Sequence, residues 1–184
     1  MIIDLHLTLQ NICSIIALDV YVGRLFILLS VCIESTLTIA SSKSTRVSLA
    51  GIRIGRYDLS EQRKNLLSRV PKSGDYVRLS LNSLEVMDLA YLSAKTGDEF
   101  AILRSKKEDV LFRGTALSCV FDGELEEDIR NHKYELIAHS HPGEEEPEPS
   151  LEDRLFLKEI NQYSSFVVSG RTGRVTEFTS DLFE

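Results

Sequence analysis

The residues best suited to chemistry are His139-Ser140-His141-Pro142, followed after seven residues by Ser150-Leu151-Glu152-Asp153. In a strand, alternate side chains share a face, so His139 and His141 would present two imidazoles side by side. Two imidazoles on one face can grip a single metal ion. Pro142 has no amide hydrogen for a ladder and ends the strand there. Leu136-Ile137-Ala138 arrive apolar, so the strand starts in the core and the histidines stand at its edge. With Ser150 as N-cap, Asp153 falls in the first turn of the next helix and offers a third ligand. Three protein ligands plus a water is the pattern of an open, catalytic zinc site, whereas four ligands close a structural one. Zinc brings the pKa of a bound water down to about 7. Each half of the pattern has an ordinary explanation when taken alone. Ser-x-x-Asp is a common helix cap, and His-x-His is two polar residues at a strand end. Their joint occurrence with Pro142 and the seven-residue gap points to a metal.

Such a site needs a general base near the water, and two upstream glutamates are candidates. Glu85 lies three residues after Asn82, near a helix start, where end capping and the helix dipole account for it. Glu99 follows a helix and a glycine and opens an apolar strand, a position that no capping role explains. Glu99 is the favoured base and Glu85 the alternative.

The surrounding elements must hold these groups in place. Val47, Leu49, Ile52 and Ile54 read as strands whose apolar phase switches at Gly51, where a bulge would sit. Ser60 to Val70 reads as a helix stopped by Pro71, and Ser73-Gly74-Asp75 as a turn. Tyr76 to Ser80 alternates as a strand. Leu84, Met87, Tyr91 and Ala94 keep helical spacing up to Gly97. Glu99 to Leu103 and Val110 to Arg113 read as paired strands around a turn at Lys106 and Lys107, and Thr115 to Phe121 as another strand. A charged amphipathic helix over Gly123 to Asn131 precedes the strand Tyr134 to Ser140. After the Glu/Pro-rich loop comes a helix from about Ser150 to Asn161. Phe166 to Ser169 and Arg174 to Thr179 then flank a Gly170 to Gly173 turn as a hairpin. The pattern is mixed α/β without internal repeats.

The 184 residues carry 21 Lys+Arg against 28 Asp+Glu, a net charge of -7, which argues against a nucleic-acid binder because phosphate contacts need clustered cations. Cys13, Cys32 and Cys119 lie far apart, so neither a disulfide framework nor a thiolate zinc site is expected, and a metal must use His and carboxylates. A chain of this length can bury roughly two thirds of its unfolded surface in one core. Residues 1–44 read as an apolar N-terminal extension ending in a Ser/Thr-rich linker at Ser41 to Thr45. Residues 45–184 read as one domain with its core at about 76–178. Asn11 to Ile33 is apolar, but Asp19 and Arg24 interrupt it, and Leu25 to Ile33 is too short to cross a bilayer. No Lys or Arg precedes it, so a signal peptide fits poorly as well. The expectation is a buried or accessory helix, no stable membrane span and a cytoplasmic protein. His132 is expected at the surface of a helix C-terminus. Glu144 to Glu148 is expected as a solvated loop, or as the rim of a groove favouring a basic partner. Arg171 and Arg174 are expected to solvate the hairpin, or to meet an acidic substrate tail.

With Glu99 upstream, His-Ser-His-Pro, seven residues and Ser-x-x-Asp in place, the chain resembles the JAMM (MPN+) metalloproteases. The resemblance covers about Tyr76 to Phe178. It implies a mixed, curved β-sheet flanked by helices, with a cytidine-deaminase-like architecture. It implies one catalytic Zn2+ held by His139, His141 and Asp153, with a water as fourth ligand. Glu99 would shuttle the proton and Ser150 would help stabilise the oxyanion. The substrate would be a protein or peptide cleaved at a peptide or isopeptide bond, behind a ubiquitin-like or sulfur-carrier protein. With 31 residues after Asp153 and a short path from Glu99 to His139, the chain looks like the compact prokaryotic members rather than those with ubiquitin-linkage insertions. A non-catalytic scaffold of the same fold, or a toxin- or phage-associated peptidase, stands as the alternative.

Overall fold

The computed structural model describes residues 48–181, so the reading of residues 1–44 lies outside the described residues. Residues 48–53 are helical. The chain then runs α1 (Glu61–Arg69), β1 (Tyr76–Ser80), α2 (Val86–Thr96), β2 (Phe100–Arg104), β3 (Glu108–Arg113), α3 (Gly123–Arg130), β4 (Glu135–His141), α4 (Leu151–Glu159), β5 (Ser164–Ser169) and β6 (Val175–Thr179). Local chemistry sets the boundaries. The Ser60 hydroxyl accepts from Arg63 N–H to start α1. The pyrrolidine of Pro71 follows the end of that helix. Gly97, at φ 80°, takes the left-handed conformation that closes α2.

The six strands form one open mixed sheet in the order β1-β3-β2-β4-β5-β6, with helices on both faces. Only β4 and β5 are parallel neighbours, and α4 makes the crossover between them. On one face, Phe100, Ile102, Leu111, Ala138 and Val168 pack with Leu89 and Leu92 of α2 and with Leu49, Ile52 and Leu66. On the other, Ala101, Leu103, Val110, Phe112 and Val167 pack with Leu125 and Ile129 of α3 and Leu157 of α4. Fully burying one such Leu or Ile contributes roughly 1.5–3 kcal/mol. β4 carries a bulge: Ile102 pairs with Ala138 but Leu103 pairs with Leu136, leaving Ile137 as the extra residue. The bulge shifts the alternation so that Leu136 and His139 lie on the same face. Among the described residues, no helix is long and apolar enough to cross a membrane.

Two expectations about the elements need correction. Residues 48–53 form a helix, not strands around a bulge. Leu49 and Ile52 are three residues apart and both buried, which is helical spacing. Gly51 is there for close approach, since a Cβ on it would come within 2.1 Å of the Tyr57 ring. Thr115 to Phe121 is a loop. β3 already has β1 and β2 as neighbours, so no edge is left beside it. The loop instead turns tightly, with Thr115 N–H donating to the Ser118 carbonyl at 2.9 Å. A Cβ on Gly114 would lie 2.3 Å from the Ser118 carbonyl oxygen, so only glycine allows that turn. Glu85 has the end-capping role expected of it: it is itself the N-cap of α2, and Asp88 accepts from its N–H at 3.0 Å.

Candidate metal centre

β4 delivers His139 and His141 to the same face at its C-terminal end. Ser140, between them, points to the other face and is fully buried. Its hydroxyl accepts from Phe100 N–H at 2.9 Å, which ties the ligand-bearing turn of β4 to the start of β2. His139 also packs edge-on against Phe178, with ring centroids 5.6 Å apart. The two imidazoles thus stand on a braced strand at the rim of the core.

α4 supplies the third group. Ser150 caps the helix: its hydroxyl accepts from Asp153 N–H at 3.1 Å, and its own N–H donates to Asp153 Oδ2 at 2.7 Å. This is a capping box, so the ordinary reading of Ser-x-x-Asp holds. The box is compatible with metal binding by Asp153, because it leaves Oδ1 facing His139 Nε2 at 3.2 Å. Oδ2 lies 3.6 Å from His141 Nε2, and the two Nε2 atoms are 3.1 Å apart. Bonds of about 2.0–2.1 Å to a tetrahedral zinc would put neighbouring ligand atoms about 3.3 Å apart. The observed separations of 3.1–3.6 Å are near that figure, with Asp153 turning a different oxygen to each histidine. Among the described residues these three form the one group of His, Cys, Asp or Glu side chains whose ligand atoms lie within 4.8 Å of one another.

The electrostatics carry the same signature. Burial opposes charge on His141, but Asp153 and Glu144 outweigh it and hold the imidazole up at about 9. Burial also works against the Asp153 carboxylate, yet His139, His141 and the Ser150 N–H hold it well below the usual carboxylate range. A proton and a metal compete for the same Nε2 lone pair, so metal binding must release that proton.

Glu99 reaches the site through the sheet register. β2 runs antiparallel to β4 with Ala101 opposite His139, so the residue before β2 falls beside His141. Glu99 is only 8% exposed and lines a cavity of about 280 Å³ with His139, His141, Ser150 and Asp153. Burial, with Asp153 adding and His141 opposing, pushes its carboxyl up to about 7. Glu85 lies elsewhere. The neighbouring Leu84 N–H donates to Asp109 at the start of β3, the opposite end of the sheet.

Two further residues at the site carry no signal in the sequence pattern. Cys119 descends from the loop after β3 onto Glu99, and burial pushes its thiol up, with Glu99 and Asp153 adding to the effect. Glu144 accepts from His141 Nδ1 at 2.9 Å. The acidic loop is also not merely solvated. Glu145 pairs with Arg171 at 2.9 Å, and Glu146 pairs with Arg174, so both arginines are committed within the chain. His132 is exposed just past α3, as expected, with Nδ1 2.9 Å from the Ile160 carbonyl. No protein-family profile, curated protein or solved structure matches this chain. What the site can do therefore follows from its own chemistry: three groups that could hold a metal ion on one side of a small cavity, and a carboxyl poised near neutrality on the other.

Proposed function

We propose that the protein is a zinc-dependent metallopeptidase of the JAMM type that hydrolyses a peptide or isopeptide bond in a protein substrate. The observation that carries this reading is the convergence of His139, His141 and Asp153 in one cavity with a buried carboxyl, Glu99. Nitrogen and oxygen ligands without a thiolate, three in number, suit a catalytic zinc. The mixed sheet with helices on both faces is compatible with the MPN architecture that the motif implies.

A bound zinc would polarise the scissile carbonyl and acidify a water. The chain's own groups account for the remaining steps. Glu99, with its carboxyl near 7, takes the proton of the attacking water and returns it to the leaving amine. The Ser150 hydroxyl accepts from Asp153 N–H and so keeps its own proton free to donate to the developing oxyanion. The 114–122 loop, with Cys119 on its inner side, walls the cavity and limits water around Glu99. No covalent intermediate is needed.

The substrate class fits a chain end entering beside an apolar rim. Leu117 and Val120, 88% and 70% exposed, line the same cavity. We assign the scissile bond to the junction behind a ubiquitin-like or sulfur-carrier protein. The test is cleavage of such carriers fused or conjugated at their C-termini, with Glu99→Gln as control. Cleavage by the wild type, lost in a Glu99→Gln protein that still binds zinc, is expected. Equal cleavage by both proteins would remove Glu99 from the mechanism. No cleavage of any carrier by the zinc-loaded wild type would overturn the substrate assignment.

A further inference from the structure

The two ligand histidines are held in place by different means. His139 has a buried Nδ1 with no protein partner, and its ring is fixed by packing on Phe178. His141 has Glu144 Oε2 at 2.9 Å from its Nδ1. When Nε2 faces a metal, Nδ1 carries the hydrogen and needs an acceptor.

Glu144 lies on a loop, and its carboxylate is about half exposed. It can orient a neighbour only if something fixes the loop. The β5–β6 turn does so through several contacts. Ser169 Oγ donates to the Glu144 carbonyl, and Thr172 Oγ1 donates to the Glu145 carbonyl at 2.7 Å. Arg171 and Arg174 pair with Glu145 and Glu146. Glu148 N–H donates to the Glu144 carboxylate at 3.3 Å. Gly170 N–H, from the same turn, donates to the carbonyl of His141 itself at 2.9 Å. Each exposed ion pair alone is worth little, but together with the buried Ser169 contact they place the loop.

We propose that Glu144 is a positioning residue for the metal. It sets the tautomer and ring angle of His141, and the β5–β6 hairpin holds it there through Arg171 and Arg174. This inference rests on the zinc reading above. Outer partners of metal-bound histidines typically contribute roughly 10- to 100-fold in metal affinity.

The test measures zinc affinity by chelator competition, and the visible spectrum of the cobalt-substituted protein, for the wild type, Glu144→Ala, Glu144→Gln and the double variant Arg171→Ala/Arg174→Ala. Glu144→Ala should weaken zinc binding by roughly 10- to 100-fold and shift the cobalt bands, a larger loss than any fall in metal-free stability accounts for. Glu144→Gln keeps an acceptor oxygen and should recover part of the affinity. The double arginine variant should lose a smaller factor. Wild-type zinc affinity in Glu144→Ala, to within about twofold, would overturn the inference and leave the zinc reading intact. A loss that only tracks a fall in metal-free stability would do the same. A wild type that binds no zinc would overturn both.

Discussion

The two ends of the sheet are both lined with charge, but they use it in opposite ways. At the β2–β3 turn lies the larger cleft, about 760 Å³, bordered by Arg78, Arg104, Glu108, Asp128, Lys133 and their neighbours. There most charges meet a partner within the chain. Arg104 grips the fully buried Asp109 at 2.7 and 3.0 Å, Arg78 contacts Glu108, Glu124 and Asp128, and Lys133 meets Asp128 at 2.7 Å. At the other end, two imidazoles and three carboxyls, those of Glu99, Glu152 and Asp153, line a cavity of about 280 Å³ with no Lys or Arg at it. Cavity size does not separate the two ends. Charge balance does, because one end is neutralised from within and the other holds a group of side chains that could take up a cation from outside.

The variants that test this contrast differ in size of effect. Asp153→Asn should have the largest, since it keeps a polar side chain at the helix start but removes the anionic ligand. Zinc affinity and peptidase activity should each fall by at least roughly 100-fold, with the fold preserved by circular dichroism. Retained zinc would erase the distinction between the two ends. At the opposite end, Arg104→Ala should leave zinc stoichiometry unchanged but strand a buried carboxylate. The loss of unfolding free energy should be about 3–5 kcal/mol in urea titration.

pH separates the ends next. In the metal-free protein, Glu99 is raised from its ordinary 4.5 to about 7, so its contribution is full below 4.5 and is lost as pH rises through 7. His141 is raised from 6.5 to about 9, so its contribution is full below 6.5 and is lost as pH rises through 9. Asp109 is lowered, so its contribution is lost only on acidification. The metal-free protein should therefore be less stable at pH 9 than at pH 6.5, by on the order of 2 kcal/mol of unfolding free energy. Glu99→Gln should flatten the part of the slope below pH 7. A metal-free protein equally stable at pH 6.5 and 9 would contradict the assignment of His141. The smallest effect belongs to the rim. Leu117→Ser with Val120→Ser should raise KM roughly three- to tenfold with kcat nearly unchanged, as lost apolar contact would. A fall in kcat instead would place these residues nearer the chemistry.

Much of the site was legible because its spacing is local. The strand end at His141 and the helix cap at Ser150, with only residues 142–149 between them, carry all three groups, and alternation in β4 and the cap fix their directions. Glu99 was legible by the absence of another reason for a carboxylate at that place. What stayed hidden depends on contacts between distant elements. Thr115 to Phe121 has strand-forming residues but no sheet edge to join, and so it became the wall that brings Cys119 to Glu99. The run Val47 to Ile54 fits either period until Leu49 and Ile52 have a core to face. Glu144 lies three residues past His141, and its contact appears only when the β5–β6 turn folds over the acidic loop.

The proposed function rests on one zinc ion held by His139, His141 and Asp153. Elemental analysis of purified protein, wild type beside His139→Ala, with circular dichroism on both, tests it most directly. One zinc per chain in the wild type and none in a folded His139→Ala protein is the expected result. A folded wild type that takes up no zinc, even when zinc is supplied, would contradict it.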